Sequence, residues 1–418
     1  MIISTEQKSS LNMAYHLTQR ANLQSTRYGW LRLTPAYSVN LVSELLEQND
    51  HTNPVLLDPF CGTGTTALVA SERGIECDTT DINPFLLWLT GVKVSKYCRE
   101  DIETLRAASS EIVNAMKSIQ GFEGWVPPIH QIEKWWDIDT LDILSRVMDA
   151  IKRLDNNITQ PVSDLLRIAF CRIMISSANV SFGHQSMSFK RNSTSQCSLL
   201  EPDTSDILVD NWIKSIDSVA LSAESLIITQ PMAILSDART LSNSLPLERY
   251  TCVITSPPYP NRMSYIRELR PYMYWLGYLT NGRDAGEMDW QAIGGTWGCA
   301  TSNLGKWKPE RDIPIPFQEF EDIVSQIHST SPILAQYVHK YFVDMISHSD
   351  ELLRVVRSGG TINYIVGNSK FYDVVLPVER IFGAIFESAG FIDVNIRKIR
   401  KRSSKKELFE FIVSARKP

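Results

Sequence analysis

The apolar positions of this chain follow two periods. Short β-favouring runs end abruptly on polar or cyclic residues. They are "PVLLD" at 54–58, "IECDTTD" at 75–81, "PMAILSD" ending at Asp237, "YTCVIT" at 250–255 and "TINYIVG" at 361–367. Each reads as a strand. Between the first two lies "TTALVASERG", a helix stopped by Gly74. From about 95 to 230 the period changes to helical. "REDIETLRAASSEIVNAMKSI", "DTLDILSRVMDAIKRL" and "SDLLRIAFCRIMISSANV" predict three helices, the last apolar nearly all round and therefore buried. A polar stretch without period, "SFGHQSMSFKRNSTSQ", follows them.

After the fourth strand an irregular region is expected over about 281–320. A long helix then runs from Ser331 and stops at Gly359-Gly360. "PVERIFGAIFESAG" is a helix with Gly390 as its stop. "FIDVNIRKIR" and "LFEFIVSAR" read as two closing strands joined by a basic turn. Strand, glycine turn, helix, strand and acid is the first half of a doubly wound sheet. An antiparallel pair completes it. The pattern divides the chain into residues 1–94, a helical insertion over 95–230, and residues 231–418.

Composition narrows the class. With 418 residues, 43% hydrophobic and 21% charged, the chain has the makeup of a globular protein. No apolar run is long enough to span a bilayer, and "MIISTEQKSS" lacks the start of a signal peptide. Seven scattered cysteines form no C-x-x-C pair, which points to a reducing cytoplasm and away from a disulfide framework or zinc knuckle. The histidines show no ligand spacing, so no metal is expected. A net charge of −5 does not suit a protein coated by nucleic acid, but leaves room for a local basic patch.

Two motifs carry the chemistry. In "DPFCGTGTT" (Asp58, Pro59, Phe60, Cys61, Gly62, Thr63, Gly64, Thr65, Thr66), the glycines let backbone approach a ligand at a helix N-terminus. Asp81, at the next strand end with Ile82 and Asn83, can accept both hydroxyls of a ribose. Position 67 is alanine where a dinucleotide fingerprint needs glycine, and no Walker lysine follows. A nucleoside cofactor without a phosphate cradle fits, and S-adenosylmethionine is such a cofactor. Asp237 with Ala238, at another strand end, could meet the adenine amino group. In "TSPPY" the prolines fix an extended chain and leave carbonyl acceptors, Ser256 adds a hydroxyl, and Tyr259 offers a flat face. Ser256, Pro257, Pro258 and Tyr259 together suit a planar ring bearing an exocyclic amino group.

These residues resemble the S-adenosylmethionine-dependent DNA amino-methyltransferases, the N4-cytosine/N6-adenine methylase family. Phe60, Gly62 and Gly64 match its cofactor loop, Asp81 its ribose acid, and Ser256 to Tyr259 its catalytic tetrad. Thr34, Pro35 and Tyr37 are similar to the segment that closes over the methionine end of the cofactor. The resemblance covers about 27–95 and 231–418. It implies a Rossmann-like class I methyltransferase sheet, mostly parallel with an antiparallel C-terminal strand, plus a mainly helical insertion. It also implies double-stranded DNA as substrate, a flipped base and direct methyl transfer. Target recognition falls to the insertion, and a cognate restriction or defence-system partner fits the family.

The resemblance implies N4 of cytosine, because in that family serine at the head of the tetrad goes most often with N4-cytosine methylation. N6 of adenine is the alternative, followed by an RNA base methyltransferase and a non-catalytic nucleic-acid-binding protein. Cytosine C5 chemistry needs a Pro-Cys nucleophile that the chain lacks. Lys190, Arg191, Arg262, Arg267 and Trp297 are candidate nucleic-acid contacts, as is the basic turn at 397–406.

Overall fold

Seven strands of the described residues pair in one sheet. They are β1 (Val55–Asp58), β2 (Glu76–Asp81), β3 (Met232–Leu235), β4 (Tyr250–Thr255), β5 (Val356–Gly367), β6 (Ile392–Lys401) and β7 (Phe409–Arg416). Their order is β3-β2-β1-β4-β5-β7-β6, parallel throughout except that β7 runs antiparallel to β5 and β6. This is the doubly wound order, with the winding reversed between β1 and β4, closed by an antiparallel pair. The computed structural model describes residues 22, 26–33, 36–118, 124–181, 188–190, 203–261, 264–296, 299–309, 313–402 and 407–418.

Alternation along the strands assigns the two faces. Leu56, Cys252, Ile254, Ile365 and Ile412 pack with α1 (Val39–Glu47) and α2 (Thr65–Arg73). Their neighbours Leu57, Val253, Tyr364 and Val413 pack on the other side with α12 (Pro332–Val355) and α13 (Val378–Ala389). Period two thus gives three layers, with a helix pair on either side of a buried sheet.

A second core lies beside the sheet. It joins α3 (Pro84–Val94), α4 (Arg99–Lys117), α5 (Ile138–Leu154), α6 (Gln160–Ser176) and α7 (Thr204–Ala223) with α8 (Tyr265–Trp275), around the buried Trp135, Trp136, Trp212 and Trp275. The helix that begins six residues after Tyr259 therefore packs with the helices inserted far upstream.

Several elements differ from the sequence expectation. Helix α7 was not foreseen, although Leu208, Trp212, Ile216, Val219 and Ala223 form a helical stripe. Nor was α3, which Asn83 caps by accepting from the Phe85 amide with Pro84 in the first turn. Strand β3 ends at Leu235. Asp237 instead caps a short 3-10 turn, accepting from the Arg239 amide at 2.9 Å.

The region 281–320 is not wholly irregular. It holds α9 (Gly282–Gln291), closed by a reciprocal Asn281–Asp284 capping box, and α10 (Cys299–Leu304); α11 (Phe320–Thr330) follows. The long helix α12 ends at Val355, and Gly359-Gly360 lie inside β5. Gly359 has φ +78°, and the β4–β5 register shifts between Tyr250 and Cys252. The glycine pair forms a bulge, not a helix stop.

Candidate active site

The C-terminal ends of β1, β2 and β4 lie side by side: Asp58 opposes Thr79, and Leu57 opposes Val253. Both sequence motifs begin at these ends. Asp58 is fully buried. Its Oδ1 accepts from Thr255 Oγ1 at 2.6 Å and from the Phe60 amide at 3.2 Å, while Tyr37 donates to Oδ2 at 2.9 Å. The residue before Ser256 is thus bonded directly to the residue that opens the glycine loop. Tyr37 also meets Thr66, whose hydroxyl donates to Ile254 O, so the loop, strand β4 and the upstream segment form one network.

The glycine loop is fixed by backbone. Cys61 N donates to Thr80 O at 2.8 Å, Thr80 Oγ1 donates to Pro59 O, and Gly64 N donates to Cys61 O. Gly62 and Gly64 have φ of +50° and +74°. A Cβ at Gly64 would lie 2.6 Å from Thr90 Oγ1, so this position excludes a side chain on both counts. Cys61 and Thr66 are buried within the loop, and Thr63 and Thr65 share a hydroxyl contact.

Asp81 receives the Gly62 amide on Oδ2 at 3.0 Å and the Asn83 amide on Oδ1 at 2.9 Å. A carboxylate has about four acceptor directions, so each oxygen keeps one. Burial pushes the carboxyls of Asp58 and Asp81 up to about 6, against the pull of their hydrogen bonds. Lys93 is the cation nearest the loop by bonding. Its ammonium is buried beneath the turn, donating to Thr63 O at 2.8 Å and Tyr28 O at 3.4 Å, and burial lowers it to about 8. That cation supports backbone.

Behind Phe60 stands His348, ring to ring at 4.9 Å. Its Nδ1 must donate to Ala238 O at 2.8 Å, because a carbonyl only accepts, so Nε2 accepts from the Tyr364 hydroxyl. Burial depresses it to about 4. The same histidine therefore ties α12 to β5 and to the loop after β3. Asp237, placed by sequence near an adenine, is clasped by Arg239, with Nη2 to Oδ2 at 2.7 Å; Arg239 also reaches Asp344 at 3.2 Å. Burial works to raise Asp237, but the guanidinium outweighs it and holds the carboxyl below its ordinary value.

The Ser256–Tyr259 turn is oriented by residues scattered along the chain. Ser256 Oγ donates to Ile365 O at 3.0 Å. That spends its proton and leaves its lone pairs as acceptors. Tyr341 donates to Pro258 O at 2.7 Å, whereas Pro257 O has no partner among the described residues. The Tyr259 amide donates to the Tyr265 hydroxyl at 3.0 Å, and the Tyr259 hydroxyl donates to Glu410 Oε1 at 3.2 Å. Burial, then the Glu410 charge, pushes that phenol up, so it stays a donor. Glu410 sits opposite Gly367 in the β5–β7 register and takes Arg400 Nε on its other oxygen at 2.6 Å. The Arg402 guanidinium lies 5.2 Å from the Tyr259 ring centroid and donates to Asn368 O. A Cβ at Gly367 would come within 3.0 Å of Tyr259 Cε2 and 2.5 Å of Arg402 Nη1, so glycine makes room for both.

Sequence reasoning missed Glu410, Tyr341 and the bond from Thr255 to Asp58. It offered the basic turn bearing Arg402 as a candidate nucleic-acid contact, without placing it beside Tyr259. Lys190 lines a cleft in the helical layer, and Arg267 lines a smaller cavity of about 260 Å³ with Ser264 and Tyr337. Thr34, Pro35, Arg191, Arg262 and Trp297 lie outside the described residues. Among the described residues no group of three or more His, Cys, Asp or Glu could hold a metal, and no helix is long and apolar enough to cross a membrane.

A 3-2-1-4-5-7-6 sheet carrying a glycine loop, a strand-end acid and the Ser256–Tyr259 turn at its switch point is a Rossmann-like methyltransferase fold. The chain's homologues are type II methyltransferases. It is 25% identical over 414 residues to the type II methyltransferase M.AvaI of Nostoc sp. (strain PCC 7120), covering 91% of this chain and 81% of the relative. It is 22% identical over 437 residues to the type II methyltransferase M.BsoBI of Geobacillus stearothermophilus, covering 92% and 82%. A shorter match of 77 residues, 18% of this chain and 14% of the relative, reaches 34% identity to the type II methyltransferase M.MjaII of Methanocaldococcus jannaschii. No family model matches the chain.

Proposed function

We propose that this methyltransferase transfers a methyl group from S-adenosylmethionine to the exocyclic amino group of a base flipped out of double-stranded DNA, with N4 of cytosine as the favoured atom. The observation that carries the reading is the Thr255–Asp58 hydrogen bond. It fastens the amino-group holder to the glycine loop across two adjacent strand ends.

The residues present fit the cofactor. Asp81 keeps an acceptor on each oxygen for a ribose diol, Gly62 leaves the approach open, and the nearby cation is turned under the loop and away from any phosphate. Bound there, S-adenosylmethionine supplies an electrophilic methyl sulfonium. The rest is positioning by the chain. Ser256 Oγ and Pro257 O accept the two amino hydrogens, which aims the nitrogen lone pair. Tyr259 gives the ring a stacking face, fixed in plane by its bond to Glu410. That face is covered by Arg402, so the arriving base displaces the guanidinium, which the flanking phosphate then receives. No covalent enzyme intermediate is needed: the N–C bond forms as the donor's S–C bond breaks, and the methylated nitrogen gives up one of its two protons to water.

The choice of cytosine over adenine rests on the resemblance, in which serine at this position goes most often with N4 of cytosine; with its proton on Ile365 O, the Ser256 hydroxyl acts as an acceptor toward either base. The type II relatives support a cognate restriction partner. Expression in methylation-free cells, followed by sequencing that separates N4-methylcytosine from N6-methyladenine, tests the reading. N4-methylcytosine at one sequence context is expected. N6-methyladenine overturns the base choice, and unmodified DNA from protein that still binds cofactor overturns DNA as substrate.

A further inference from the structure

A cleft of about 720 Å³ opens in the helical layer, between the segment Gly29–Arg32, the end of α6 and the middle of α7. None of the residues from Asp58 to Asp81 or from Ser256 to Tyr259 lines it. Its walls carry Arg32, Arg172, Lys190 and Lys214, and no Asp or Glu among the described lining residues. Arg172 is half-buried, and its bonds among the described residues go to neutral oxygens: Trp30 O at 3.2 Å, Ser215 Oγ at 3.0 Å and Ser218 Oγ at 3.4 Å. A guanidinium held without a carboxylate is a charge left over for a ligand. Lys190 has no carboxylate partner among the described residues. Lys214 pairs only with the exposed Asp210 on its own helix, a contact of little strength in water. In a chain of net charge −5, four cations around one concavity are a local reversal of sign.

The cleft is wired to the candidate active site. Tyr272 of α8 donates to Arg32 O at 3.5 Å, and α8 begins six residues after Tyr259. Five residues beyond Arg32, Tyr37 reaches Asp58.

We propose that this cleft seats the sugar-phosphate backbone of the DNA strand beside the flipped base, an inference that rests on the function proposed above. Arg172 and Arg32 contact phosphate at the floor and the lysines at the rim. Because the groups meet backbone and not base edges, the seat adds affinity and register but no sequence choice.

The test uses the full-length protein with Lys190→Gln and Lys214→Gln together. Binding to a fluorescent duplex of about three helical turns is followed by anisotropy between about 50 and 200 mM salt. The slope of log affinity against log salt should fall by about two relative to wild type. Cofactor affinity by calorimetry should be unchanged, and Lys190→Arg with Lys214→Arg should keep the wild-type slope. A double glutamine variant with the wild-type slope overturns the cleft, as does loss of slope in the arginine pair. Wild-type protein that binds no duplex overturns the DNA reading itself, which separates that failure from failure of the cleft.

Discussion

The two halves of the candidate site are built on opposite plans. The cofactor half is local. Gly62, Gly64, Asp81 and Lys93 lie within a few dozen residues and bond mainly to backbone groups, and Asp58 alone reaches across to distant chain. The base half is assembled from distant chain: Ser256 leans on Ile365, Pro258 on Tyr341, and Tyr259 on Glu410 and Arg402. Their separations reach 151 residues between Tyr259 and Glu410. A locally built half depends on its glycines and on the Asp81 carboxylate that ties its backbone together. A side-chain-built half holds its ring only while every remote partner is in place. One strand pair, β1 with β4, joins them.

Variants can break that contrast. Ser256→Ala should lower methylation about 10²- to 10³-fold, the scale for losing one preorganised polar contact to a reacting group, with cofactor affinity unchanged. A parallel loss of cofactor binding would show the halves are not separable. Asp81→Ala should weaken cofactor binding about ten- to hundredfold by calorimetry and leave duplex affinity as it was. The pH dependence sharpens the same half. Asp81 is raised to about 6 by burial, so its charged, twofold-acceptor form is complete above that value and lost below it. Cofactor binding should therefore be about tenfold weaker at pH 5 than at pH 7, and Asp81→Asn should flatten the profile. Glu410→Gln should give the smallest change, a fall of roughly three- to tenfold in kcat at constant cofactor affinity. A larger shift in cofactor affinity than in kcat would remove Glu410 from the base half.

Legibility in sequence follows the same division. The glycine loop and Asp81 were readable because strand, turn, helix and acid are consecutive, and each residue type has a local reason. The strand ends at Asp58, Asp81 and Thr255 were readable for the same cause. Glu410 was not, because it matters only through its register opposite Gly367, which no local pattern encodes. Arg402 appeared as one charge in a basic run, the usual look of a solvated surface. Asp237 was read as a strand-end partner for adenine; its clasp by Arg239 is local, but the Asp344 that holds Arg239 in turn lies 105 residues away. The Gly359-Gly360 pair looked like a helix stop; as a strand bulge it depends on pairing with β4. Periodicity found the buried helices of the insertion, but nothing in it told that α8 would join their core.

The bond from Thr255 to Asp58 spans 197 residues of chain. On a ribosome, β1 and β2 emerge early and then wait. At a synthesis rate of about 5–20 residues per second, roughly 10–40 s pass before β4 arrives to cover the open edge of β1. The helices encoded in that interval share a tryptophan-rich core that α8, made after β4, completes with Trp275. Until residues 232–255 are made, the β1–β2 pair has both edges bare, since β3 covers β2 and β4 covers β1.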